Sequence, residues 1–574
     1  MARRNEEVAW LLNDIAELLA LQGESPFRIR AYTEAARTIA AMAEDIEELH
    51  RQGRLEEIPG VGESIARKIA EYLVSGRLRY YEDLQRQVVP GAAELLRVPG
   101  IGPARAHLLL TRLGITSVAE LRRAAQEHRL RELPGFGPKL EERIAREAAR
   151  VGERSRRLLL GVALPLAEEV VTRLRAHPAV VAADPAGSIR RMRETIGDID
   201  ILAASAHPEE VVSAFTSLPM VQEVLATGPT RPSILTRDRL QVDLRVVAPG
   251  EYGAALQYFT GSKEHVVALR GLANARDWKL SEYGLFDHAG RRIAGRTEAD
   301  VYHALGMDWI PPELRESRGE IEAAQRHALP HLVETTDLRG DLHVHTDWSD
   351  GHDSLERMVD AAVARHYQYV AITDHSPSLG VARGLTVERV QAQRRLIDRL
   401  RERYAPFCIL HGTEVNILPD GSLDYPDAVL AGFDIVTASI HSHLDLPHDR
   451  MTARLVRALH HPYVDVLGHP TGRLLLRRPA YELDIEAVLR AAAAAGVAVE
   501  VNGQPDRLDL SDVWCRRARE LGVLLVCTSD AHSTRQLGYV RYAVATARRG
   551  WVEPDGVVNT RDREALLAHL RQRR

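Results

Sequence analysis

The residues best suited to chemistry lie in the last third of the 574-residue chain, where residues 337–574 hold fourteen of its 24 histidines. They recur at regular places. Short apolar runs at 341–345, 369–373, 408–413, 434–440, 464–468, 497–501 and 523–528 alternate with helical stretches. His343 and His345 close the first run, and Asp350 follows in the loop. His375 follows the second run, Glu414 ends the third, His441 the fourth and His469 the fifth. Asp530 and His532 follow the last. Seven strands separated by helices predict a parallel β/α barrel, whose strand C-termini converge on one face. Nine N/O donors there exceed one ion's needs, so two or three metals are expected. Imidazole and carboxylate without thiolate suit Zn²⁺, Mn²⁺ or Fe²⁺, and such a cluster activates water for attack on phosphorus. A lone histidine is usually structural, and His352, His366 and His411 are read that way. Ligands at nearly every strand end are not. Asn502 and Arg473, near the same face, are candidates for holding a phosphate.

A second constellation is acidic. Gly187-Ser188-Ile189-Arg190-Arg191 precedes Gly197-Asp198-Ile199-Asp200, and Asp243 lies within Val242-Asp243-Leu244-Arg245. Ile196 to Ala203 and Leu240 to Val247 read as buried strands. Alternation along a strand puts Asp198 and Asp200 on one face, which Asp243 can join from a neighbour. Three converging carboxylates repel unless divalent cations sit among them. Two Mg²⁺ (or Mn²⁺) ions so held would stabilise the attacking and leaving oxygens of a phosphoryl transfer. Gly187 and Ser188 can cup a terminal phosphate, and Arg191 can neutralise it.

Three further segments share one spelling: Ile58-Pro59-Gly60-Val61-Gly62, Val98-Pro99-Gly100-Ile101-Gly102 and Leu133-Pro134-Gly135-Phe136-Gly137. Each precedes a helical stretch with basic residues. Two glycines make a tight turn whose backbone N–H groups, with the next helix N-terminus, can meet a phosphate. Such contacts position a DNA backbone without reading its bases.

Several elements must carry these groups. The length exceeds one core, so three to five domains are expected. Val8, Leu11, Leu12, Ile15, Leu18 and Leu19 mark an amphipathic helix. Residues 318–337 read as a polar linker. Net charge is −5, so any phosphate binding comes from local placement. No run of eighteen apolar residues exists, which excludes a spanning helix. Three cysteines suit a reducing cytoplasm rather than a disulfide framework.

Residues 1–317 resemble the X family of DNA polymerases, the family of DNA polymerase beta. The Gly-Ser-x-Arg-Arg, Gly-Asp-x-Asp and Tyr258-Phe259-Thr260-Gly261-Ser262 motifs occur in family order and spacing. The resemblance implies that Asp198, Asp200 and Asp243 hold catalytic metals. It implies that Gly187, Ser188, Arg191, Gly261 and Ser262 meet the triphosphate. Tyr258 and Phe259 would pack on the incoming sugar and help exclude a ribose, and Arg270 would be the thumb's minor-groove arginine. Lys263 stands where polymerase beta has an acid, and Val266 where it has an asparagine; as one of four lysines, Lys263 is expected at the nucleotide. Lys68 matches the lysine that forms a Schiff base with 5′-deoxyribose phosphate, a step that needs a primary amine. Arg28 and Tyr32 match phosphate-pocket positions, while Ser64 and Glu34 replace family lysines.

The C-terminal third resembles the polymerase-and-histidinol-phosphatase (PHP) phosphoesterases, with all nine ligand positions filled. The order of the two parts resembles bacterial and archaeal PolX proteins. The expected fold is multidomain: helical helix-hairpin-helix domains at 1–80 and 81–150, an α/β nucleotidyltransferase palm at 151–255, a thumb at 256–317, the linker, and a distorted (βα)7 barrel at 338–574. The implied function is short-gap filling in base excision repair, with a 3′-5′ exonuclease and further AP endonuclease, 3′-phosphatase and lyase activities. The implied partners are gapped or nicked double-stranded DNA and dNTPs, for a monomer at the nucleoid in the cytoplasm and off any membrane. The alternative is a DNA-end-binding scaffold fused to a phosphatase of small phosphoesters.

Overall fold

The computed structural model describes residues 157–572 except 238–239 and 380–381. Within the first 156 residues it describes 2–21, 24–42, 46–75, 78–87, 95, 98, 101, 103–138, 140–142, 144, 145 and 148. The chain divides into two compact units: Met1–Arg156 with the short His532–Arg535 segment, and Arg157–Ala531 with Gln536–Arg574.

The first unit is helical. It includes α1 (Ala2–Leu21), α2 (Pro26–Ala41), α3 (Glu63–Ser75) and α4 (Pro103–Leu113). The expected stripe of α1, from Val8 to Leu19, is buried against Ala35, Ala36 and Ile39 of α2. Ser25 caps α2 by accepting from Arg28 N, and Pro26 fills the first turn, where no N–H is needed. In the first and third Pro-Gly turns the apolar residues anchor the loop. Ile58, Val61, Leu133 and Phe136 are buried, whereas Gly60, Gly62, Gly135 and Gly137 are exposed. Gly60 and Gly135 have φ +83° and +82°, a conformation costly for other residues. Gly100 and Gly102 lie outside the described residues. Around them Ile101 N donates to Val98 O at 2.9 Å, as Val61 does to Ile58 O (2.9 Å) and Phe136 to Leu133 O (3.0 Å).

The second unit begins with a five-stranded sheet: β1 (Ala182–Pro185), β2 (Ile199–Ala204), β3 (Val221–Ala226), β4 (Ser233–Thr236) and β5 (Gln241–Val247). Its order is β1-β2-β5-β4-β3, and only β2 and β5 run parallel. Helix α5 (Leu160–Arg175) packs on it. The strand expected over 196–203 is broken. Thr195–Ile196 pairs with Leu158–Leu159, whereas Ile199–Ala204 pairs with β1 and β5. Changing partners forces a bend at Gly197–Asp198, so Asp198 stands just before the strand rather than in it.

Between β1 and β2 lies α6 (Gly187–Arg190), and beyond β5 come α7 (Tyr252–Thr260), α8 (Lys263–Asn274) and a three-stranded antiparallel sheet ending at Ala294. The stretch expected as a polar linker is packed. Ile321, Ala323, Ala324 and Leu332 are buried with Leu269, Tyr302 and Ile310.

The remainder is a barrel of seven parallel strands in chain order, as expected: β6 (Gly340–Val344), β7 (Tyr369–Ile372), β8 (Cys408–Asn416), β9 (Ile435–Ser439), β10 (Val466–Leu467), β11 (Ala498–Asn502) and β12 (Leu525–Thr528). Its edges approach where Val344 bridges Ala531 and His345 N donates to Ala531 O at 2.8 Å. The strands are buried on both faces, which explains why they read as continuous apolar runs.

Candidate active sites

On the five-stranded sheet, Asp200 of β2 and Asp243 of β5 are register partners on parallel neighbours. Asp198 is exposed at the bend; the other two are half-buried. Burial pushes the Asp200 carboxyl up to about 7, and the charges of Asp198 and Asp243 add to it against Arg245 and Arg191. Carboxylates that raise one another in this way are a donor set suited to hard divalent cations.

Gly187 opens α6 at φ +58°, and a Cβ there would stand 2.1 Å from Asp200 Oδ2. No other residue fits so close to the carboxylate. The rest of the motif is fixed by the following elements. Arg190 forms a two-pronged pair with Glu298 at 2.8 and 2.7 Å and donates to Thr260 Oγ1 at 2.6 Å. Arg191 donates to Glu316 at 3.0 Å and to Thr260 O. Its guanidinium lies beside Gly261, where a Cβ would be 3.0 Å from Nη1. Gly187 thus abuts Asp200, and Arg191 abuts Gly261. Ser262 is buried, and its hydroxyl caps α8 by accepting from His265 N. Lys263 begins α8 and is exposed. Tyr258 and Phe259 meet edge-on at 5.1 Å; Arg270 covers Tyr258 at 4.9 Å and Arg245 covers Phe259 at 5.3 Å.

At the barrel's strand ends all nine candidate ligands gather. His345, Asp350, His375 and His532 form one group, His343, His345 and Asp530 a second, and His375, Glu414 and His441 a third, each with donor atoms within 4.8 Å of one another. His469 joins through Glu414, its Nε2 lying 2.9 Å from Oε1. Glu414 is the hub. Its Oε2 meets His375 at 3.0, His343 at 3.4 and His345 at 3.5 Å, and its Oε1 also meets His441 at 3.2 Å. Burial works to raise its pKa, but His441, His375 and His343 hold it well below the usual range. His469 and Asp530 have φ +24° and +51°, strain typical of residues held for function. His343 Nε2 and His469 Nδ1 are buried without a hydrogen-bond partner among the described residues. Buried imidazole nitrogens around a carboxylate are a donor set that could hold metal ions.

In the first unit, Lys68 Nζ bonds Ser64 Oγ at 2.9 Å and lies over the rings of Tyr80 (4.7 Å) and Tyr32 (5.9 Å). Burial first, then Arg28 and Arg67, lowers its pKa. Arg28 donates to Tyr80 OH at 3.0 Å.

The description "DNA polymerase beta thumb" matches residues 255–316. "Helix-hairpin-helix domain" matches 3–78, "SAM-like Helix-hairpin-helix tandem" 92–150 and "PHP domain" 341–504. The chain is 38% identical over 570 residues to the "DNA polymerase/3'-5' exonuclease PolX" of Bacillus subtilis (strain 168), covering 99% of each. The chain belongs to the PolX family. Over 233 residues the chain is 32% identical to a "Probable phosphatase" of Thermoanaerobacter sp. (strain X514), covering 38% of this chain and 89% of that one. A similar protein of Shewanella sp. (strain MR-4) is 31% identical over 244 residues, covering 41% and 91%.

PolX membership brings a DNA polymerase and a PHP domain, both of which imply divalent metals, and helix-hairpin-helix domains, which imply DNA. No described helix is long and apolar enough to cross a membrane. The PHP match ends before Asp530 and His532, which the fold returns to the cluster. Sequence reading missed the groups that orient the ligands. Glu500 takes His343 Nδ1 at 2.6 Å, leaving Nε2 toward the cluster; Asn416 does the same for His441 at 2.5 Å. Asp374 binds Thr346 and Ser349 in the loop before Asp350. The signal was there: Glu500 is a charge inside Ala498-Val499-Glu500-Val501-Asn502, a strand buried throughout. Tyr80 was missed as well. Of the two candidate phosphate contacts, Arg473 is instead paired with Glu194 at 2.5 Å, and Asn502 donates to Asp530 at 3.0 Å. His411 is structural as read, bonded to Gln393 at 3.0 Å.

Proposed function

We propose that this chain fills short gaps in double-stranded DNA, adding dNTPs to a primer 3′ end, and that its PHP barrel is a metal-dependent 3′-5′ exonuclease. The observation that carries the reading is the completeness of both sites: three carboxylates at the sheet and nine ligands at the barrel mouth. The Bacillus subtilis relative is named for both activities.

In the polymerase site the backbone of Gly187 and Gly261, the Ser188 hydroxyl and the Arg191 guanidinium hold the triphosphate. Ser262 shapes that turn, and Lys263 adds charge at its rim. Tyr258, kept in place by Arg270, and Phe259 pack on the sugar. Asp198, Asp200 and Asp243 would hold Mg²⁺ or Mn²⁺, and such ions, when bound, would supply charge stabilisation for the phosphoryl transfer. The primer 3′-OH attacks the α-phosphorus, and pyrophosphate leaves. In the barrel, His343, His345, Asp350, His375, Glu414, His441, His469, Asp530 and His532 would hold two or three Zn²⁺ or Mn²⁺ ions, with AP endonuclease and 3′-phosphatase cleavage as further reactions. Glu500 and Asn416 fix the imidazoles. Gly60, Gly62, Gly100, Gly102, Gly135 and Gly137 hold the DNA backbone. Lys68, with its lowered pKa beside Arg28 and Tyr32, is the candidate deoxyribose-phosphate lyase amine. The domain division is 1–80, 81–150, 151–255, 256–317, 318–337 and 338–574, in a monomer working at the nucleoid in base excision repair.

The likeness of part of the chain to probable phosphatases favours one other reading, a phosphatase of small phosphoesters. Substrate size separates the two. The purified chain is given a primer across a one-nucleotide gap with dNTPs, a 3′-labelled strand, and a deoxynucleoside monophosphate. Gap filling and strand digestion, with much slower phosphate release from the mononucleotide, are expected. Phosphate release faster than strand digestion would favour the phosphatase.

A further inference from the structure

Two arginines of the PHP barrel reach the segment that carries the polymerase site's phosphate and metal groups. Arg549 ends α10 (Val540–Arg549) and is 2% exposed. Its Nη1 donates to the main-chain oxygen of Arg191 at 2.6 Å and to Glu316 Oε1 at 3.0 Å, the same oxygen that accepts from Arg191 Nε. Its Nη2 donates at 2.8 Å to Asp512, which starts α9 (Asp512–Glu520), and Arg318 meets the same Asp512 oxygen at 3.0 Å. Arg473, four residues past the ligand His469, grips Glu194 with both Nη atoms, at 3.3 and 2.5 Å, and is anchored by the carbonyls of Arg507 and Leu508. Leu508 and Tyr542 are buried in the same core as Ile189, Ile199 and Val242.

We propose that Arg549, seconded by Arg473, is a positioning residue of the polymerase site: the PHP barrel holds Arg191 in the place from which it meets the triphosphate. Arg191 cannot be held by its own element. Helix α6 is four residues long, and a long guanidinium side chain loses much rotamer freedom when fixed. Glu316 takes one edge of the Arg191 guanidinium, and Arg549 fixes both Glu316 and the Arg191 main chain. Arg549 is itself balanced by Asp512, so each charge in the chain Arg191–Glu316–Arg549–Asp512–Arg318 has an opposite neighbour. Removing Arg549 leaves Glu316 and Asp512 each short of a buried partner. Arg191 is then free to follow Glu316.

The proposal rests on Arg191 as a triphosphate contact, and the test separates the two. Nucleotide kinetics on gapped DNA are measured for the full chain carrying Arg191→Ala, Arg549→Ala, Arg549→Lys and the double Arg191→Ala/Arg549→Ala change, with 3′-strand digestion measured for each. Arg549→Ala is expected to raise the nucleotide KM about tenfold, a change of about 1.4 kcal/mol, with kcat moving less and digestion unchanged. Arg549→Lys should recover part of the loss. The double variant should be no worse than Arg191→Ala alone, because the effect passes through Arg191. A wild-type KM in Arg549→Ala, an additive double variant, or parallel loss of polymerisation and digestion would each overturn the proposal. Should Arg549→Ala not fold, Glu316→Gln carries the same expectation, and an unchanged KM there overturns it too. If Arg191→Ala itself leaves KM unchanged, the triphosphate reading of Arg191 fails, and the positioning role falls with it through that separate arm.

Discussion

Asp200 shows how one side chain ties chemistry to pH. Its carboxyl is raised to about 7 in the folded chain by burial and by Asp198 and Asp243. A carboxyl raised in this way keeps a proton where the unfolded chain would lose it. It therefore favours folding at low pH, and that contribution fades as pH rises through about 7. A divalent cation replaces the proton, so cation binding must strengthen over the same range. Mg²⁺ affinity of the sheet site, measured by titration calorimetry on a chain whose barrel ligands are removed, is expected to be about tenfold weaker at pH 6 than at pH 8. A pH-independent affinity would contradict it. At the other site Glu500 orients His343. Glu500→Gln should lower metal affinity of the barrel by about 10- to 100-fold, the usual cost of losing an orienting carboxylate; metal content after dialysis measures it. Lys263, exposed at the start of α8, is the amine proposed to meet the triphosphate. Lys263→Asp should weaken nucleotide binding by about ten- to a hundredfold, most strongly without Mg²⁺, on the strength of one charge-assisted hydrogen bond.

At the scale of elements, the two sites are built by different devices, and they were unequally legible. The barrel uses strand ends. Each strand is a short apolar run closed by a polar residue, so a one-dimensional pattern gives both the seven strands and the ligands. The groups behind the ligands were harder to read: Glu500 shows as a charge inside an apolar run, but Asn416 and Asp374 are recognisable only through their partners. The sheet site uses a bend. Alternation along a continuous strand would pair Asp198 with Asp200, but the chain changes partner strands at Gly197, and this long-range pairing leaves no local mark. The stretch 318–337 misleads for a similar reason: its polar residues Arg318 and Glu320 are bonded to Asp512 and His265, and only the tertiary partners make that stretch part of a core. The tightest element is the turn at Gly187. Gly187→Ala should abolish nucleotide addition while leaving the barrel's digestion intact, since its methyl would collide with Asp200. Primer extension on the folded variant checks this, and normal extension would mean that the turn yields.

For the whole molecule, the central claim is that one chain carries two independent metal centres, at the sheet and at the barrel mouth, with separate chemistry. Nothing in the bulk charge of −5 divides these roles; local placement does. The most direct measurement is primer extension and 3′-strand digestion side by side on Asp198→Ala and His343→Ala, with elemental analysis of each protein. Asp198→Ala should lose nucleotide addition and keep digestion and the barrel metals. His343→Ala should lose digestion and barrel metal and keep addition. Loss of both activities in either folded variant, or a wild-type chain with no bound metal after supplementation, would contradict two separate centres.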